Sequence, residues 1–434
     1  MTKILLRNLR VLNPFSKPKY LENASILIED GIIQSVSDAP LNFDGDTIDM
    51  LGKTVLPGMI NAHTHLYSSL ALGMPAPKNN PGNFVEILKE IWWKLDRSLD
   101  EESTRASFEV GLIDCIQNGV TTVIDHHASP NYVEGSLDIL VETAKKYGIN
   151  IAICFESSDR NGAKIFTREL EANLLAICEY ADDLHILPLM GLHASFTLSD
   201  ESLEHVADSL KNLDNWGIHI HVAEDLADEL DAQERGYGSV IQRLDHFGLL
   251  NNKSLIIHGI YITRQDRHIL LQRGCKLIHN PTSNAGNQVG ILETEIIESL
   301  HPGLGTDGKQ NDMLAEAKEG AQIRSAKECL PVDYLKLLFK NNPKIASRLF
   351  GKPLGHINKG SQADLVFYDY DPKTEISRKN FKSHIQYGLT RPSDVMTQGV
   401  FRMRDGILVD VDTKTIMDDA RYQSRKLWKK MKKL

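Results

Sequence analysis

Histidines and carboxylates recur in this 434-residue chain at spacings that suit a metal ion and proton transfer. In the segment LPGMINAHTHLY, His63 and His65 stand two residues apart. Side chains at i and i+2 of a strand share a face, so both imidazoles can converge on one ion while Thr64 points away. In GIHIHVAEDL, His221 lies near the end of an apolar run and Glu224 follows three residues later. Neutral imidazole is a common ligand of divalent transition metals, and a carboxylate just beyond it is placed to move protons for a metal-bound water. His258 ends the run LIIH, and Asp307 lies in LGTDGKQNDML. His219 shares the face of His221 and is expected to support it from behind. Each piece is ordinary alone, since Asp-Gly is first of all a turn pair. The set gains meaning from the elements that carry it.

Those elements alternate. Apolar runs at 54–60, 121–125, 149–155, 187–192, 217–222, 254–258, 276–279 and 301–305 read as strands. Helical stretches at 104–118, 136–147, 202–212 and 238–247 lie among them. Eight strands with intervening helices predict a parallel (β/α)8 barrel, whose sites gather at the C-terminal ends of the strands. The His-x-His, His-x-x-Glu, His and Asp groups fall on strands one, five, six and eight of that barrel. The two chain ends have another texture. Short strands at 3–12, 24–28 and 31–36, with Asp30-Gly31 as a tight hairpin turn, are matched by strands at 364–370, 400–403 and 407–411 around Asp405-Gly406. Short hairpins cannot bury a face alone, so the two ends should complete one small sheet domain into which the barrel is inserted.

Hydrophobic residues at 41% and charged residues at 25% exclude a disordered or fibrous chain. Lys plus Arg number 49 against 58 for Asp plus Glu, a net charge of -9. Such a chain lacks the clustered cations of a general phosphate binder and suits a neutral or cationic small substrate better than a polyanion. The exception is the tail RYQSRKLWKKMKKL, which carries no acid. Leu427, Trp428 and Met431 at helical spacing give it a packing face, so it reads as a final helix lying on the chain's own acidic surface. Five scattered cysteines without CxxC pairing indicate neither a disulfide framework nor a thiolate zinc site. The N-terminus alternates like a strand, and no stretch reaches bilayer length. These features predict a cytoplasmic protein that binds neither nucleic acid nor membrane.

The motif PG-x-x-x-x-H-x-H (Pro57, Gly58, His63, His65), the later His221, His258 and Asp307, and the segment Gly360-Ser361-Gln362-Ala363-Asp364-Leu365 resemble the metal-dependent amidohydrolase superfamily over nearly the whole chain. HASF, HIHVAE, HNPTSN and GTDG look like its branch of deaminases and chlorohydrolases, and WWKLDRSLDEES, VIDHHASP and CFESSDRNG resemble the SsnA-type aminohydrolases. The resemblance implies an α/β fold: a (β/α)8 TIM barrel over 57–354 inserted into a small β-sandwich domain built from 1–56 and 355–415, with a basic helix over 416–434. It implies that His63, His65, His221 and Asp307 bind Zn2+ or Fe2+ and leave one position for water. Glu224 would shuttle protons, His258 would hydrogen-bond the hydroxide or the substrate, and His193 would touch the substrate. Binuclear members commonly carry a carboxylated lysine on the fourth strand, whereas 187–197 contain no lysine. One metal per chain is expected, and the resemblance also implies a homodimer.

The expected reaction is hydrolytic deamination of an amino-substituted purine- or pyrimidine-type heterocycle, with water as the other reactant. Zinc lowers the pKa of bound water to about 7. Asp307 can take the first proton and Glu224 can pass one to a ring nitrogen before ammonia leaves. The same site could instead open a cyclic amide or displace a chloro or alkylamino group. A non-catalytic, metal-stabilised binding protein is the reading from another class; it predicts loss of Glu224 or of a ligand, and all are present. Further substrate contacts are expected after the strands: His126 or its neighbour His127 after strand two, Arg160 after strand three and Asn284 after strand seven. Trp92 lies in the long loop 70–100 after strand one, and connections of that length are usually lids or pocket walls.

Overall fold

The computed structural model describes residues 3–39, 41 and 43–434. Its centre is a ring of eight parallel strands. Met59–Thr64, Val120–Asp125, Asn150–Ile153 and Ile186–Pro188 pair in that order, and Met190–Ala194, Ile218–Val222, Leu255–His258, Lys276–His279 and Gly303–Leu304 follow. Strand four crosses between the two groups at Leu189. There Leu189 N–H donates to Ile153 O and Met190 N–H to Gly217 O, both at 2.9 Å. The other seam joins strand eight to strand one, where Thr306 N–H donates to His63 O at 3.0 Å and Thr64 bridges Asp307. Parallel strands covered on both faces read as continuous apolar runs, and Ile151, Leu192, Ile220 and Ile256 are fully enclosed.

The helices fall close to where periodicity places them. Ser136–Tyr147 matches its expected range and ends at Gly148, whose φ of 65° supplies a left-handed cap. Glu101–Gln117 begins at Asp100, which accepts from Ser103 N–H while its own N–H bonds the Ser103 hydroxyl in a capping box.

Two strand boundaries differ from expectation. The single strand read over 54–60 is broken at Gly58. Thr54–Pro57 pairs with Lys3–Leu12 and Leu365–Tyr368 in the end sheet, and barrel strand one begins only at Met59. The break is a close approach. A Cβ on Gly58 would lie 2.2 Å from Thr121 Oγ1, and the Gly58 N–H donates to Asp364 O at 2.8 Å. Strand one therefore runs to Thr64 and contains His63. Strand eight is shorter than 301–305, because His301 is the left-handed cap (φ 49°) of the helix Thr294–Leu300.

The chain ends meet in a sheet of nine strands among the described residues. Its path runs from Ile407–Leu408 through Val400–Arg404, Asp394–Thr397, Leu365–Tyr368, Thr54–Pro57, Lys3–Leu12 and Tyr20–Glu29 to Ile32–Ser37, with Asp46–Asp49 beside Lys3–Leu12. The sheet curls back on itself, since Ile33 N–H donates to Ser361 O and Ile32 bridges Gln362, just ahead of Leu365. It encloses Leu6, Val11, Ile26, Ile33, Phe367 and Met396 as a small core of its own. Asp30-Gly31 and Asp405-Gly406 both take the left-handed φ that tight hairpins need. Among the described residues no helix is long and apolar enough to cross a membrane.

One ion pair ties the N-terminal segment to the C-terminal one. Lys53 Nζ lies 2.6 Å from Asp394 Oδ2 and 3.1 Å from Asp405 Oδ1, and Asp394 is fully buried. Arg404 Nε, 2.8 Å from Asp394 Oδ1, answers the same carboxylate, so losing Lys53 leaves Asp394 with one cation instead of two. Lys53→Met should cost about 1–2 kcal/mol, read as a lower urea midpoint with metal binding unchanged.

Candidate active site

The chemistry-bearing side chains gather at the C-terminal mouth of the ring. His63 lies in strand one with His65 just beyond it, His221 is in strand five, and His258 ends strand six. Asp307 follows strand eight. Two of these positions need unusual backbone. His258 has φ 73° and Asp307 φ 55°, and a glycine follows each. Left-handed φ costs a non-glycine residue roughly 1–2 kcal/mol, a strain found where geometry serves a site.

His63, His65, His221 and Asp307 bring four candidate ligand atoms within 4.8 Å of one another. Asp307 Oδ1 is 3.4 Å from His63 Nε2 and 3.0 Å from His65 Nε2, and His65 Nε2 is 3.2 Å from His221 Nε2. The far ring nitrogens fix the tautomers. His65 Nδ1 donates to His126 O at 2.7 Å and His221 Nδ1 to His193 O at 2.8 Å, so both Nε2 lone pairs face the cluster. His63 Nδ1 lies 2.9 Å from His219 Nε2, and His219 Nδ1 in turn lies 3.5 Å from Cys154 Sγ. With His63 Nδ1 as donor, its Nε2 is also free for the cluster.

The electrostatics suit a cation. Burial pushes His63 down to about 3 and His221 well below the ordinary histidine range, leaving the neutral imidazoles that ligate metals. Burial opposes ionisation of Asp307 too, yet His63 and His65 hold its carboxyl well below the usual range. His63 Nε2 is buried without a hydrogen-bond partner. His65 differs: burial opposes its charge, yet the Asp307 carboxylate holds its imidazole up to about 9, and a metal ion would have to displace that proton. Three imidazole nitrogens, the orphaned His63 Nε2 among them, and one carboxylate form a donor set that fits Zn2+.

Beside this cluster lies a second group. Glu224, His258 and Asp307 also bring one ligand atom each within 4.8 Å. His258 Nε2 is 3.3 Å from Glu224 Oε2 and 4.0 Å from Asp307 Oδ2. His258 Nδ1 donates to Asn284 Oδ1 at 2.7 Å, which leaves Nε2 bare, and Asn287 Nδ2 donates to Glu224 Oε1 at 3.1 Å. Burial pushes the Glu224 carboxyl up to about 7, with the Asp307 charge adding to the rise. Glu224 can therefore give or take a proton near neutral pH.

Both groups open on a cavity at the mouth of the ring. Its wall includes His65, His193, His221, Glu224 and Asp307 on the ring side, and Phe84, Leu88, Trp92 and Trp93 on the side of the long loop. Trp92 and His193 are thus where substrate contacts were expected. Three others are not. His126 has both ring nitrogens engaged, with Glu156 Oε2 at 3.1 Å and His219 O at 3.0 Å, and stands behind the wall. Arg160 turns its guanidinium onto Glu156 Oε1 at 2.6 Å and Asp96 Oδ2 at 3.1 Å, because two buried carboxylates compete for it. Asn284 is spent on His258. His127 is fully buried with Nε2 on Ser129 Oγ at 2.7 Å.

Glu156 and Asp96 themselves reach the cavity wall and were not singled out from the sequence. A signal for Glu156 existed. It follows directly on an apolar strand, as His221 and His258 end theirs, and Arg160 lies four residues beyond it. Asp96 sits in a helical turn with no such marker.

Comparison with known proteins fits this geometry. The amidohydrolase family model matches residues 54–401. A relative named 5-methylthioadenosine/S-adenosylhomocysteine deaminase 2, from Archaeoglobus fulgidus, is 26% identical over 399 residues, covering 86% of this chain and 88% of its own. A 5'-deoxyadenosine deaminase from Methanocaldococcus jannaschii is 26% identical over 409 residues, covering 91% and 94%. Among solved structures, an adenosine deaminase from Xanthomonas campestris with bound zinc has a TM-score of 0.84 at 21% identity over 98% of both chains, a likeness of fold.

The ligand set and its support can be tested apart. His65→Ala should abolish stoichiometric zinc binding. His219→Ala, which removes only the partner of His63 Nδ1, should weaken zinc affinity by about 10–100-fold. Chelator competition with metal analysis distinguishes the two outcomes.

Proposed function

The chain belongs to the amidohydrolase family, and from that premise we propose that it is a zinc hydrolase that removes the amino group of a purine- or pyrimidine-type heterocycle as ammonia. One observation carries the reading: the buried Glu224 carboxyl, 3.3 Å from His258 Nε2, shares the cavity with a three-histidine, one-aspartate cluster. His63, His65, His221 and Asp307 would hold one zinc ion per chain. When bound there, zinc supplies the Lewis acidity that makes water nucleophilic at neutral pH.

The remaining work falls to the chain's own groups. Glu224 in its acid form delivers a proton to a ring nitrogen and makes the amino-bearing carbon electrophilic. The ionised Asp307 is placed to accept a proton from the attacking water, and the bare His258 Nε2 offers that water a second acceptor. Water adds to the ring carbon, the C–N bond breaks, and one proton of the water leaves on the amine as ammonia. Acid and base roles must exchange in such a sequence, which a group titrating near 7 can do. Phe84, Leu88, Trp92 and Phe196 give a flat ring an apolar wall and keep bulk water out. The adenosine-type substrates in the relatives' names favour a purine nucleoside.

Zinc-loaded protein should release ammonia from at least one member of a panel of aminopurines, aminopyrimidines and their nucleosides, with adenosine and 5'-methylthioadenosine included. An inert panel alongside hydrolysis of cyclic amides or chlorinated triazines would exclude deamination. Glu224→Gln should retain zinc and lose about 10²–10⁴-fold in turnover; retained activity would remove Glu224 from the proton path.

A further inference from the structure

The basic tail takes no part in this chemistry, yet its position bears on the cavity. Thr413–Met431 is a helix that packs against Glu101–Gln117, Trp93–Asp96 and Leu66–Ala71. Leu427 is its most enclosed side chain, at 1% exposure. Two residues beside it reach to separate points. Trp428 Nε1–H donates to Leu70 O at 2.9 Å, and Lys430 Nζ binds the Asp100 carboxylate. Leu70 and Asp100 are the two ends of the loop that brings Phe84, Leu88, Trp92, Trp93 and Asp96 into the cavity wall.

The first half of that loop has little else to hold it, whereas the second half is also held by Leu95 and Leu99 in the main core and by Arg160 on Asp96. Residues 72–83 lie outside helix and strand and are mostly exposed, with Leu72 at 90%. The apolar residues that follow form a small cluster of their own. Phe84 and Leu88 pack with Val289 and the edges of Trp92, Trp93 and Phe196. Segments with few buried contacts open at low free-energy cost. Pinning both loop ends to one rigid helix reduces the conformations the loop must surrender when it orders around a ligand.

We propose that the C-terminal helix is a clamp on the cavity wall, in which Trp428 and Lys430 are positioning residues that hold loop 72–99 in its ligand-binding arrangement. Neither residue approaches the metal cluster or Glu224, so the clamp acts on ligand capture and not on the bond-breaking step. Only the kinetic arm of its test rests on the deaminase reading.

The experiment uses the full-length, zinc-loaded protein with Trp428→Phe, which keeps the ring but removes the N–H, with Lys430→Gln, and with both. Hydrogen exchange followed by mass spectrometry should show several-fold faster exchange in peptides across 72–99 of the double variant. Peptides from the barrel strands and the zinc content should be unchanged. Lys430→Arg should restore slow exchange. With 5'-methylthioadenosine as probe, KM should rise several-fold while kcat stays within about twofold. If the parent protein turns over another member of the panel instead, that compound becomes the probe; if it turns over none, the deaminase reading has failed and exchange alone judges the clamp. Unaltered exchange across 72–99, acceleration spread evenly over the barrel, or an unchanged KM in an active protein would each overturn it.

Discussion

The carbonyl of His63 accepts hydrogen bonds from Thr306 N–H and Asp307 N–H, at 3.0 and 3.1 Å. These bonds close the ring of strands, and they also set His63 against Asp307, the first and last members of the histidine–aspartate cluster. A chain that brings residues so distant in sequence together loses closure entropy that local contacts cannot return. Here the return comes from the whole ring, since strand eight cannot lie beside strand one unless the intervening strands are in register. Closing the barrel and assembling the donor set are therefore one event, and the site inherits the rigidity of the core beneath it.

That rigidity is extended downward by two lines of side-chain contacts. Cys154, His219 and His63 form one line of contacts, and His126, Glu156 and Arg160 another. Arg160 answers two carboxylates at once and lies 5.1 Å from the Trp93 ring centroid, so it couples strand three to the loop wall. Buried polar groups of this kind are costly unless each finds a partner. Their satisfied arrangement orients the neutral imidazoles, and an imidazole free to rotate would present its lone pair to the cluster only part of the time.

The parts of the molecule legible in the sequence are those governed by period. His63 and His65 on one face, His221 and His258 at the ends of apolar runs, and the helix at 136–147 all follow from alternation by two or by 3.6. The chain ends announced a shared sheet through Asp30-Gly31 and Asp405-Gly406, where backbone conformation is local. What escaped was decided by side-chain partners distant in sequence. His126, Arg160 and Asn284 stand after the right strands, but Glu156, Asp96 and His258 claim them, and no spacing reveals that competition. The division of 54–60 at Gly58 escaped for a similar reason, because the crowding that needs a missing Cβ comes from Thr121 and Asp364.

The two sides of the cavity are built to different standards, and this has a consequence for what the fold can accept. The histidines and carboxylates of the cluster sit on strand ends or one turn beyond them, where small displacements are resisted by the packed ring. Groups that would meet the outer part of a ligand sit on a loop whose Phe84 and Leu88 form a small cluster apart from the main core. Changes in the loop can therefore alter which molecule is held without disturbing the donors, as expected where a rigid scaffold carries variable connections. The relatives fit that division: they match this chain over most of its length at about a quarter identity, and their names share an adenosine-type deamination while differing in the group at the sugar. A histidine–carboxylate cluster held by the ring and a wall carried by one long loop are thus separable parts of the same fold.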